Sequence, residues 1–235
     1  MSPVRFENPI YVAIDTPDME RALALTRAVS PHVGGLKVGL EFISAHGPGG
    51  IRVIAAMGLP VFADVKFHDI PNTVAGAARE IVRTGAKIFN VHASGGEAML
   101  RAAVEAAHGI NPETRVIAVT VLTSLDDQAL DAVGQRGPAA DQVVRLAALS
   151  RKCGLDGVVC SAHEIAAIRK ECGADFMLVV PGIRPAGSDL ADQRRVMTPR
   201  AAAEAGADIL VIGRPINAAD DPGAAAKAIK DSLHG

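Results

Sequence analysis

The sequence predicts a (β/α)8 TIM barrel forming a single domain over residues 1–235. Eight short, nearly all-apolar runs alternate with Ala-rich amphipathic stretches, the pattern of parallel strands covered by helices. A glycine followed by a small or apolar residue recurs ahead of strands, at Gly58-Leu59, Gly85-Ala86, Gly154-Leu155, Gly173-Ala174 and Gly206-Ala207, where helix C-caps are needed. No linker or low-complexity segment divides the chain. An open doubly wound sheet is the competing arrangement. Against it, Asp15-Thr16-Pro17-Asp18, a helix-capping turn, follows the first strand in place of Gly-x-Gly-x-x-Gly.

Taken in order, the first strand, Tyr11–Asp15, leads through that turn into a helix over Met19–Val29. The second strand is Leu36–Gly39, and the third, Val61–Phe67, feeds a helix over Asn72–Thr84. Ile88–His92 precedes the helix Glu97–Ala107, and Val116–Leu122 comes before Ala139–Cys153. Gly157–Ser161 is followed by Ala162–Glu171. The seventh strand, Met177–Pro181, runs into a long polar segment, 184–195, hinged with Gly and Pro. Thr198-Pro199 then reads as N-cap and N1 of the helix Pro199–Ala205. Ile209–Gly213 is the eighth strand, and Gly223–Leu233 is the closing helix.

Composition bounds the function. Hydrophobic residues make up 49% and charged residues 21%, an ordinary globular balance with ample core. Aromatics are only 3%, so Ala, Val, Ile and Leu must build that core. A net charge of −2 without a Lys/Arg run argues against nucleic acid, and an anionic ligand then needs a local positive site. Residues 1–9 carry no apolar targeting region, and no run is long enough to span a bilayer, so a cytoplasmic protein without membrane contact is expected. Cys153, Cys160 and Cys172 lack metal-like spacing and read as reduced, buried thiols.

Chemistry concentrates in the third strand and its exit, Val61–Thr73, which places Asp64, Lys66 and Asp69 within six positions. Strand alternation puts Asp64 and Lys66 on one side, roughly 6–7 Å apart along the strand. Buried charges cost several kcal/mol unless paired. The residues alone leave two readings: a structural ion pair, or an ammonium held among carboxylates to deliver a proton.

Other polar residues fall at strand ends, where chemistry sits in such barrels. They are Asp15, Lys37, Asn90, His92, Thr123, Ser124, Arg184 and Arg214. Asp15 reads equally as a helix cap or a ligand contact. Lys37 wants a carboxylate partner, with Asp15 and Asp64 as candidates. His92 reads as a hydrogen-bonded core histidine, and His68 as a loop residue. Cys160 and Ser161 lack a basic neighbour to make a nucleophile. Gly213-Arg214 reads as a phosphate cradle, because glycine lets backbone N–H groups approach an anion and a guanidinium binds it bidentately. The 184–195 segment reads as a lid or binding loop beside it.

Asp64-x-Lys66-x-x-Asp69, within Phe62–Thr73, resembles the signature of the orotidine 5′-phosphate decarboxylase family in its bacterial form. The resemblance extends through Ala13-Ile14-Asp15, Lys37-Val38-Gly39, Val121–Ser124, Val180–Arg184, Gln193 and Ile212–Pro215. It implies conversion of orotidine 5′-phosphate to UMP and CO2 in de novo pyrimidine synthesis, without metal or organic cofactor. By position, Lys66 would protonate C6, Asp64 would sit beside the departing carboxylate, and Lys37 and Asp15 would hold the ribose. Asp69 and Thr73 would reach the neighbouring subunit's site in a homodimer. Thr123 and Ser124 would meet the pyrimidine, and Gln193, Gly213 and Arg214 the phosphate, with Arg184 at the root of the lid.

Three rivals share some of this pattern. Relatives resembling 3-keto-L-gulonate 6-phosphate decarboxylase use Mg2+, with an acid on the second strand and Lys-Thr on the third; here Lys37 and Lys66-Phe67 stand there. A Schiff-base aldolase needs a neutral amine, which flanking carboxylates oppose. A non-catalytic phosphate-binding barrel has no use for Asp64 and Lys66 together.

Overall fold

The computed structural model describes residues 7–185 and 197–233. Its strands are β1 (Ile10–Ile14), β2 (Gly35–Val38), β3 (Val61–Phe67), β4 (Ile88–His92), β5 (Arg115–Val119), β6 (Gly157–Val159), β7 (Met177–Val180) and β8 (Ile209–Ile212). All pair in parallel in chain order, and β8 returns to β1 with Leu210 opposite Ile10, so the sheet closes without an edge. Between them run α1 (Met19–Val29), α2 (Leu40–Ala55), α3 (Pro71–Arg83), α4 (Gly96–His108), α5 (Asp127–Ala132), α6 (Ala139–Lys152), α7 (Ile165–Cys172) and α8 (Pro199–Ala205). A short α9 (Arg214–Asn217) and α10 (Pro222–Asp231) follow β8.

Strand alternation divides the core in two. Ile10, Val12, Ile14, Leu36, Val38, Val61 and Ala63 face outward into the layer shared with the helices. The intervening residues Tyr11, Phe62, Ile88, Ile117, Met177, Val179, Ile209 and Val211 form a separate cluster inside the barrel. Tyr11 is the largest of these, and burial pushes its hydroxyl up to about 12. β2 accommodates it with glycine: a Cβ on Gly35 would lie 2.4 Å from the Tyr11 ring. Continuing up the same inward parity, β2 reaches Lys37, β3 reaches Asp64, and β4 reaches Asn90 and then His92. The apolar lower interior thus gives way to a polar top.

The expected helix C-caps are present: Gly58, Gly85, Gly154, Gly173 and Gly206 all have φ between 83° and 106°. Three helices absent from the sequence expectation appear, α2, α5 and the four-residue α9. In α2, Gly47-Pro48-Gly49-Gly50 interrupts the apolar periodicity, and the helix continues across a kink at Gly47, φ 59°. Its Gly50 is required because a Cβ there would meet His46 Cβ at 2.5 Å. Six-residue α5 is too short to show a period. Several strands end sooner than their apolar runs, β5 at Val119 and β6 at Val159, because ladder pairing stops where the chain turns out into the rim loops. Cys153, Cys160 and Cys172 are buried and unpaired. Among the described residues, no helix is long and apolar enough to cross a membrane.

Candidate active site

The expected charged residues meet at the top of β2 and β3. Asp64 is the hub: its Oδ2 lies 3.1 Å from Lys37 Nζ, and its Oδ1 accepts a hydrogen bond from Lys66 Nζ at 2.5 Å. The Lys37 and Asp64 side chains are only 11% and 13% exposed, whereas Lys66 is 29% exposed and opens to the cavity. Asn90 Nδ2 donates a third hydrogen bond to Asp64 Oδ1, at 2.7 Å. Burial alone pushes the Asp64 carboxyl upward, but the Lys37 and Lys66 charges and the hydrogen bonds from Lys66 and Asn90 outweigh it. The net result lies below the usual carboxylate range.

The backbone here departs from a regular strand. Ala63 pairs with Phe89 and Phe67 with Val91, so three residues of β3 face Asn90 alone across the ladder. Within that bulge Lys66 adopts φ 52°, a left-handed conformation that costs a non-glycine residue about 1–2 kcal/mol. Its N–H donates to Asn90 Oδ1 at 2.7 Å. Bulges next to active sites re-aim side chains, and here the re-aimed side chain is the lysine that the sequence singles out.

Lys37, Asp64, Lys66 and Thr123 line one cavity of about 170 Å³. Its remaining walls are apolar, from Phe62, Val119, Val121, Leu122, Val159, Val179, Pro181 and Val211, with Cys160 at the base of one side. The cavity therefore joins a flat apolar slot to a cluster of two ammonium groups and one carboxylate. Cys160 is 1% exposed, and burial, reinforced by Glu164, drives its thiol pKa far up. That rules out a ready thiolate. Ser161 is spent on structure: its N–H donates to Glu164, and its Oγ accepts from the His163 N–H. Ser124, expected beside Thr123, is exposed and does not line this cavity.

Asp15 is not the cap of α1; Asp18 is, accepting from the Glu20 and Arg21 N–H groups. The Asp15 carboxylate instead reaches across to the start of α2, where Oδ1 accepts the Phe42 N–H at 3.4 Å. Gly39 makes room, since a Cβ there would lie 2.6 Å from that carboxylate. Asp15 and Asn217 border a second depression of about 170 Å³. Asn217 was not anticipated: its Nδ2 donates to the Ala13 carbonyl at 2.5 Å and ties α9 to β1. Asp15 and the Gly213-Arg214 turn are thereby neighbours on the rim. Packing does not demand glycine at 213, because a Cβ would stand 3.7 Å from its nearest neighbour, Ala13 Cβ. Arg214 is exposed at the first position of α9.

Arg184 is 7% exposed, and its backbone N–H donates to the Met197 carbonyl at 3.0 Å, beside the Ile183–Met197 bridge. This pins together the two ends from which 186–196 departs and returns. Gln193 lies outside the described residues. Asp69 and Thr73 stay outside the cavity: both are exposed, and Asp69 Oδ1 accepts the Ile70 N–H at 2.6 Å. Among the described residues, the carboxylate against Lys66 is therefore Asp64. His68, read from sequence as a loop residue, and His92, read as a core histidine, stack with ring centroids 5.5 Å apart. Burial, with the His68 and Lys66 charges, holds His92 below the usual imidazole range although Asp64 opposes the shift. Among the described residues no group of three or more His, Cys, Asp or Glu is arranged to hold a metal ion.

Comparison with known proteins gives a uniform result. The sequence model of the orotidine 5′-phosphate decarboxylase / HUMPS family matches residues 8–229. An orotidine 5′-phosphate decarboxylase from Moorella thermoacetica is 56% identical, with 95% of this chain and 91% of that protein covered. One from Paramagnetospirillum magneticum is 53% identical, covering 96% and 98%. Among solved structures, the orotidine 5′-phosphate decarboxylase of Lactobacillus acidophilus superposes with a TM-score of 0.86 at 36% identity, covering 97% of this chain and all of that one. The barrel, its rim of charges and these matches agree over nearly the whole length, and the chain belongs to the orotidine 5′-phosphate decarboxylase / HUMPS family.

Proposed function

We propose that this protein decarboxylates orotidine 5′-phosphate to UMP and CO2 in de novo pyrimidine biosynthesis, with Lys66 delivering the proton to C6. The observation that carries the mechanism is the Lys37–Asp64–Lys66 cluster at the mouth of the apolar slot. Loss of CO2 from C6 leaves an electron pair in the ring plane, where the π-system cannot accept it. Stabilisation must then come from a preorganised charge in a water-poor site. Lys66, aimed into the slot by its left-handed backbone, supplies that charge and that proton. Asp64 beside the substrate carboxylate repels it until it leaves, a contribution of debated size.

Asp15 and Lys37 hold the ribose, and Thr123, with Ser124 beside it, contacts the pyrimidine. Arg214, Gly213 and Gln193 take the phosphate, with Arg184 at the base of the 184–195 loop. The glycine at 213, unexplained by packing, fits close approach of an anion to the backbone. Phosphate binding far from C6 then contributes to the barrier at C6. Arg214→Ala is expected to lower kcat/KM by about 10- to 100-fold, the worth of a charge-assisted hydrogen bond. If wild type turned over the phosphate-free nucleoside as well as the nucleotide, this role would be refuted.

The working unit is a cytoplasmic homodimer in which Asp69 and Thr73 reach the partner's site. Support lies in the exposed strip from His68 to Thr73, which carries Asp69, Thr73 and Ile70, the last 67% exposed, away from this chain's own cavity. Sedimentation at assay concentrations reads this directly; a fully active monomer would overturn it. The reaction needs no metal or organic cofactor. The decisive assay is loss of orotidylate absorbance with chelator-treated protein: turnover should match the untreated enzyme, and absence of turnover in both would sink the assignment.

A further inference from the structure

Asn90 has no role in the proton-transfer scheme, yet it touches both of its central residues. Its side chain is fully buried. Oδ1 accepts the Lys66 backbone N–H at 2.7 Å, and Nδ2 donates to Asp64 Oδ1 at 2.7 Å. The chemistry fixes the orientation of the amide. A backbone N–H only donates and an ionised carboxylate only accepts, so the oxygen must face Lys66 and the nitrogen Asp64. No other side chain of that size and shape meets both needs without taking up a proton.

Its position explains why both contacts are needed. In the β3–β4 ladder, Asn90 is the one residue opposite Asp64, Val65 and Lys66. A bulge leaves backbone groups without their ladder partners, and a buried unpaired N–H is costly. The Asn90 amide supplies the missing acceptor for Lys66, the residue whose backbone is left-handed. With the same group it draws Asp64 Oδ1 to the point where that oxygen also receives Lys66 Nζ. Backbone and ammonium of Lys66 are thus registered to one another through a single neutral side chain.

We propose that Asn90 is a positioning residue for decarboxylation: its amide locks the bulged, left-handed Lys66 and orients the Asp64 carboxylate, setting where the Lys66 ammonium points. This inference rests on the reading of Lys66 and Asp64 as catalytic. Among the described residues, the charged and titratable groups around Asp64 are Lys37 from β2, Lys66 on its own strand, and His92 of β4, which stacks on His68. The β5 side of the cavity, Val119, is apolar.

The test compares Asn90→Ala and Asn90→Asp for kcat, KM, UMP affinity and pH profile. Asn90→Ala should lower kcat by about 10²-fold, the penalty of a misplacement near 1 Å, with KM and UMP affinity within about threefold of wild type. Asn90→Asp keeps the size and the acceptor for Lys66 but sets a carboxylate against Asp64. One proton shared between two facing carboxylates restores a donor to Asp64, so its kcat should rise as pH falls from about 7 to about 5, opposite in sign to any acid-side loss in wild type. The Asp variant decides the matter if the Ala variant does not fold. A profile parallel to wild type, a kcat within about threefold of wild type, or equal losses in kcat and UMP affinity as in a merely structural role, would each overturn the inference. Lys66→Ala separates this from the underlying reading: if Lys66→Ala abolishes turnover while the Asn90 variants are normal, only the role of Asn90 fails.

Discussion

Lys66→Ala is expected to lose about 10⁴-fold or more in turnover, the upper range for a positioned general acid, while UMP still binds. The reason is geometric. Lys66 is the most exposed member of the cluster, opening to the cavity, whereas Lys37 is more deeply buried against the other oxygen of Asp64. No second ammonium stands ready to take its place without breaking the Lys37–Asp64 pair. The phosphate and ribose contacts proposed above lie on β1, β2 and the β8–α9 turn, so removing the lysine head group should leave most of that binding surface untouched. Single-turnover kinetics and a UMP titration measure the two effects separately. A variant with near-wild-type rate would remove Lys66 from the chemistry, and one that lost both rate and UMP binding would make its role chiefly structural.

Asp64→Ala is expected to be the most destabilising change at the rim. It strands two partly buried ammonium groups, and breaking a buried pair by removing one partner costs about 3–5 kcal/mol. The lower end applies here, because Lys66 is 29% exposed and water screens part of its charge. The same pairing gives a pH signature. The Asp64 carboxyl is held below its usual range in the folded protein, so the folded state favours the ionised form. Its stabilisation is then complete above the unfolded pKa of about 4 and is lost as pH falls through the lower, folded value. Thermal unfolding between pH 6 and pH 3 should therefore fall less steeply in Asp64→Asn than in wild type. Parallel curves would show that Asp64 carries no such linkage, and an Asp64→Ala protein as stable as wild type would mean that the two lysines find another counter-charge.

The barrel was legible because its signals are local and repeated. Apolar runs, capping glycines and the Thr198-Pro199 helix start each depend on a few adjacent residues, and the folded chain uses them as read. The helix over 40–55 was not legible, since a glycine- and proline-rich kink erases the period that announces a helix. The charged trio was also visible, because Asp64 and Lys66 two apart on an apolar strand must be paired, although the residues alone do not separate a structural ion pair from a catalytic one.

By itself, the sequence determined the eight-unit barrel, the chemical content of its rim and the resemblance to a family, all of which follow from residue type and spacing along the chain. Tertiary structure decided who pairs with whom. That Lys37 and Lys66 share Asp64, that Asp15 reaches α2 and not α1, and that Asn90 bridges Lys66 to Asp64 depend on strand register and on a bulge in β3. Register is set by closure of the whole sheet and by the volumes packed inside it, quantities to which distant residues such as Tyr11 and Gly35 contribute jointly and which no single stretch of sequence contains.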